Sequence, residues 1–157
     1  MASILGIELK NIKTFRGVEY PTCYQGTVYL NGKKLGFWSQ DSLGGPDNYE
    51  FKTTELDNLA KGYYGKDSYY DLDCLIGEIL TLKNYEKMYK KTVKEGYASL
   101  VVITDGYLET TIKVPRDTDK ELILKKCAPY VEKFKKNTNN VDNVKTLVFT
   151  NITDFVQ

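Results

Sequence analysis

The stretch YQGTVYLNGKKLGFWSQ, Tyr24 to Gln40, decides the fold class. Asn31-Gly32 lies at its centre, and this pair suits a type I′ turn because both central residues need positive φ. Apolar and polar residues alternate on either side, the period of a half-buried strand. A two-residue turn sets Val28 opposite Leu35 and Gly26 opposite Phe37. Tyr24, Val28 and Leu30 then share a face with Leu35 and Phe37, and Thr27, Tyr29 and Trp38 take the other. A glycine facing an aromatic ring covers bare strand.

Upstream, Leu5, Ile7 and Leu9 alternate with Gly6 and Glu8, and the phase slips near Asn11 to take in Ile12, as a β-bulge requires. Downstream, residues 39–52 form a loop led by Gly44-Gly45-Pro46 that returns as a short strand through Tyr49 and Phe51. Thr54 is the expected cap of a short helix carrying Leu56, Leu59 and Ala60. From Asp71 to Lys91 the period is helical: Leu72, Leu75, Ile76, Ile79, Leu82 and Tyr89 form one stripe. Lys83, Glu86, Lys87, Lys90 and Lys91 are expected mostly in solvent, and Gly96 ends the run.

A second hairpin turns at Asp105-Gly106 and puts Val101, Ile103, Leu108, Ile112 and Val114 on one face. Thr118 and Glu121 read as a capping box for a helix with Leu122, Ile123, Cys127, Val131 and Phe134, kinked at Pro129. Lys145 to Thr150 is a last strand, followed by a short tail. The order β-β-β-(α)-α-β-β-α-β does not alternate regularly. It predicts an α+β fold, an antiparallel sheet of two hairpins packed on two main helices, rather than a doubly wound parallel sheet. With 157 residues, no repeat and no long linker, the expectation is one domain over 1–157.

The 22 basic and 21 acidic side chains nearly cancel, so there is no strong nucleic-acid signal. Only Arg16 and Arg116 supply guanidinium forks, a bias that an AT-rich genome explains. Cys23, Cys74 and Cys127 are too far apart for a disulfide framework or a zinc site, and Cys74 and Cys127 fall in apolar helical patterns. The start MASILGIELK lacks a basic segment followed by an apolar run, and no apolar stretch approaches the length of a membrane span. A reducing cytosol is the expected setting.

The chain has no histidine, which removes Ser-His and Cys-His nucleophile systems and the usual catalytic zinc sites. Asp41, Asp47 and Glu50 cluster in the Gly-Gly loop, but in no calcium or magnesium spacing, so no metal or cofactor is expected. Asp71 and Asp73 precede the long helix, where carboxylates cap it and complement its dipole, with an acid/base pair as the alternative. Aromatic usage is the positive signal. Tyr63, Tyr64, Tyr69 and Tyr70 fall within eight positions, and tyrosine offers large contact area with few torsions to freeze. Trp38, with Tyr29 and Lys34 expected on its face, extends the candidate surface toward Asp41, Gly44, Gly45, Asn48 and Tyr49.

The segments LKNIKTFRGVEY, YQGTVYLNGKKLGF and Gly44 to Phe51 resemble a group of small, largely uncharacterised phage- and plasmid-encoded proteins. These open with an LKN-(I/V)-K strand, continue into an NGKK-type hairpin and enter a Gly-Gly loop. The likeness covers roughly residues 5–52. Leu43 and Pro46 stand where many of that group carry His and Cys, so no catalytic residue carries over. The resemblance implies a bacterial host cytosol and, in kind, an inhibitor of a host defence system. Such a protein would act without catalysis, by stoichiometric binding to a host protein. The alternatives are a sponge for a signalling nucleotide, a carboxylate- or cysteine-dependent enzyme, and a plain structural module. A sheet edge could also pair two copies, but nothing in the sequence compels an oligomer.

Overall fold

The computed structural model describes residues 1–116 and 118–157. Its contacts divide the chain into two compact units, Met1–Asn84 with Phe155–Gln157, and Tyr85–Asp154. The fold class is α+β.

The first unit holds β1 (Ile7–Phe15), β2 (Cys23–Leu30), β3 (Lys33–Ser39) and β4 (Asn48–Tyr49) in one antiparallel sheet, in that order. Helix α1 (Thr54–Tyr64) and the first part of α2 (Leu72–Lys94) follow. The bulge expected near Asn11 is present: the β1–β2 register shifts between Lys10 and Lys13, and Asn11 has φ 53°. Gly26 lies opposite it, where a Cβ would come within 2.9 Å of the Lys10 carbonyl oxygen. Asn31 and Gly32 have φ 49° and 80°, as the turn requires.

The second strand of that hairpin departs from the expected register. Tyr29 pairs with Lys34, but Val28 pairs with Gly36, so Leu35 is one extra residue. A single-residue slip turns every later side chain to the other face. Trp38 therefore pairs with Gly26 on the buried side and has no exposed surface, whereas Phe37 faces outward. Leu5, with φ 51°, lies before β1 and is exposed. Ile7, Leu9, Val28, Leu30 and Trp38 line one buried sheet face, and Leu56, Ala60, Leu75, Ile76 and Ile79 are among the buried helical residues of this unit.

The second unit is a three-stranded antiparallel sheet, order β6 (Glu109–Val114), β5 (Ser99–Thr104), β7 (Lys145–Phe149), with α3 (Lys120–Lys135). The two hairpins thus belong to two sheets, not one. Val101 and Ile103 of β5 pack with Ile123 and Cys127 of α3, flanked by Ile112, Val114, Val131 and Phe134. On the other face the Tyr85 ring lies 5.8 Å from that of Phe149, and the Tyr89 hydroxyl donates to the Thr150 carbonyl at 2.8 Å. Leu108, expected inside, lies in the connecting loop and is exposed. Asp105 shapes that loop by accepting from the amides of Tyr107 and Leu108 at 2.8 and 2.7 Å.

Two of the expected helix caps, those of α1 and α3, differ by one residue. Asp119, not Thr118, caps α3, accepting from the amides of Glu121 and Leu122 at 3.0 and 3.2 Å. Its carboxylate meets the positive helix end more strongly than a hydroxyl would. Thr53 holds the cap position of α1, one residue before Thr54, and its hydroxyl donates to Asp57 at 2.9 Å. The apolar stripe of α2 is buried as expected, but so is Glu86, which pairs with Lys90. Cys74 is exposed, contrary to the apolar pattern, while Cys23 and Cys127 are buried.

Candidate functional site

The Gly-Gly loop is held by its own carboxylates. Asp41 accepts from the Gly45 amide at 2.8 Å, and a Cβ on Gly45 would come within 2.7 Å of that same oxygen. Gly44 has φ 78°, which only a residue without a side chain adopts cheaply. The buried Trp38 indole donates to Asp47 at 2.7 Å. Asp73, in the first turn of α2, accepts from the Asp47 amide at 2.9 Å and from the Tyr49 hydroxyl at 2.7 Å. Burial pushes the Asp47 carboxyl up to about 6, helped by Asp73, Asp71 and Asp41 and opposed by the Trp38 hydrogen bond. Burial and the Asp73 carboxylate raise the Tyr49 phenol well above its usual range.

Asp71 and Asp73 divide their work. Asp71 accepts from the Cys74 amide at 3.2 Å and so caps α2, as expected, whereas Asp73 clamps the loop. The spacing around Asp73 points to a cap or an acid/base pair at the helix start and not to this clamp, because its loop contacts lie 24 and 26 positions away. Among the described residues no group of three or more His, Cys, Asp or Glu is arranged to hold a metal ion, and Asp41, Asp47 and Glu50 form none.

The tyrosines form the second part of the site. Tyr63 and Tyr64 close α1, and their hydroxyls both donate to Glu78 of α2, at 3.4 and 2.8 Å. Their rings meet edge to face with centroids 4.9 Å apart, and Tyr64 lies 5.3 Å from the ring of Tyr70. Burial, reinforced by Glu78, raises both phenols above their usual range. Tyr70 is 62% exposed, and Tyr69 is 102% exposed. Glu78, which organises the group, carries no sequence signal beyond its exposed place on the helix.

The remaining expected residues do not join this surface. Tyr29 pairs across the strands with Lys34, and the Lys10 ammonium sits 4.3 Å above its ring. Trp38 lies on the opposite face of the sheet from them, in the core. Asn48 is exposed on β4, pairing with Ser39, and Tyr49 is half-buried with its ring edge-on to Phe51. What remains is an ordered, partly exposed tyrosine group beside an acidic helix start.

No protein-family model matches the sequence, and no curated protein and no solved structure matches it either. No described helix is long and apolar enough to cross a membrane.

Proposed function

We propose that the chain is a non-enzymatic binding protein whose protein partner docks on the tyrosine group Tyr63, Tyr64, Tyr69 and Tyr70. The observation that carries this reading is the fixing of two rings by Glu78 beside two that stand open to solvent. Exposed aromatic area whose neighbours are already ordered loses little entropy on binding, which is the character of interface anchors. The surroundings favour a protein over a nucleotide. Asp67, Asp71, Asp73 and Glu78 lie on or next to this stretch, against Lys61 and Lys66. Phosphates would be repelled there, whereas a lysine or arginine of a partner would find both carboxylates and ring faces. The resemblance to phage-encoded proteins supports a host protein as the partner and inhibition of host defence as the outcome.

Retention of bacterial proteins on the immobilised chain tests the reading, with Tyr69→Ala/Tyr70→Ala as the control. One protein held in near-equimolar amount by the wild type and lost by the double variant is the expected result. Recovery of a nucleotide instead would replace this reading with sequestration, and recovery of a cleaved one would replace it with catalysis.

A further inference from the structure

In the second unit, a groove of about 580 Å³ runs between β6 and α3. Its floor is the edge of a sheet, because among the described residues β6 pairs with β5 alone. The phase of that pairing is fixed at both ends. The Leu108 carbonyl accepts from the Asp105 amide and the Val114 carbonyl from the Ala98 amide, so the even-numbered residues of β6 aim their backbone groups at β5. Antiparallel pairs alternate, so Thr111 and Lys113 present N–H and C=O outward along the groove. An edge of this kind is a template for another strand.

The opposite wall is α3, where Tyr130, Lys133, Phe134 and Asn137 line the groove. Tyr130 and Phe134 offer apolar area to alternate side chains of an added strand. Lys133 forms no ion pair among the described residues, while Lys113 is already paired with Glu95. The unit as a whole carries 13 lysines and arginines against 10 acidic residues. We propose that this groove takes an extended peptide segment that turns apolar residues and one acidic residue toward α3 and adds to β6 as a further strand. Main-chain hydrogen bonds to Thr111 and Lys113 supply the affinity, and Lys133 selects the acidic side chain. The site is independent of the tyrosine surface.

The test is fluorescence anisotropy of a labelled octapeptide with valines and one glutamate at the alternate positions turned toward α3 and threonine between them, titrated with the full chain. Saturable binding is expected, weakened at least tenfold by N-methylation along one peptide edge or by Thr111→Pro, which removes an outward N–H and spares the β5 ladder. Lys133→Glu should weaken the glutamate peptide and favour its lysine counterpart. The N-methylated peptide keeps the test decisive on the wild-type chain should Thr111→Pro fail to fold. No saturable binding, equal binding of the N-methylated peptide, displacement by adenosine monophosphate, or a dimer that already fills the β6 edge would each overturn the proposal.

Discussion

Trp38 shows how much one residue of register decides. Leu35 is extra in its strand, and the slip carries the indole from solvent into the core, where Asp47 takes its N–H. Trp38→Ala should therefore act on stability, costing about 3–5 kcal/mol as other large core truncations do, in denaturant unfolding. Asp47 makes a second prediction. Its folded-state carboxyl titrates near 6 against an ordinary value of 3.8. A raised value means that its favourable contribution is full below the unfolded value and is lost as pH rises through about 6. Asp47→Asn keeps an acceptor for Trp38 without the charge. Measured across that range by denaturant unfolding, the variant should gain on the wild type as pH rises, and a constant difference would contradict this. The bulge beside Asn11 was legible because the apolar phase itself breaks there. The one at Leu35 was not, because Leu35 and Phe37 supply a continuous alternation that either register satisfies until the buried face is known.

At the scale of elements, local chemistry was read well and long-range contacts were not. Turns at Asn31-Gly32 and after Thr104, the stripe of α2 and the strand after residue 144 all follow from spacing within a few residues. Asp73 and Glu78 act across loops, on Tyr49, Tyr63 and Tyr64, so spacing does not reveal them. The α3 cap gives a test at this scale. Asp119→Ala should cost about 1 kcal/mol, whereas Thr118→Ala should stay within about 0.5 kcal/mol of the wild type. Unfolding curves of the two variants compare them directly, and equal losses would return the cap to Thr118.

For the whole molecule, the order of elements was legible, but not their partition into a four-stranded and a three-stranded sheet. Turn residues pair neighbouring strands, whereas the assignment of β7 to β5 rests on a match 47 residues away in sequence at Val101 and Val148. The candidate site narrowed for the same reason. Trp38 left it for the core, Tyr29 and Lys34 lie on another sheet face, and the tyrosine group remained with a carboxylate organising it. The most direct measurement of that site is the affinity of the captured partner for the wild type and for Tyr69→Ala/Tyr70→Ala, with the melting temperature of each. The rings stand in solvent, so the double variant should melt within about 2 °C of the wild type and bind at least ~30-fold more weakly. Unchanged affinity, or affinity lost together with stability, would contradict the tyrosine group as the binding surface.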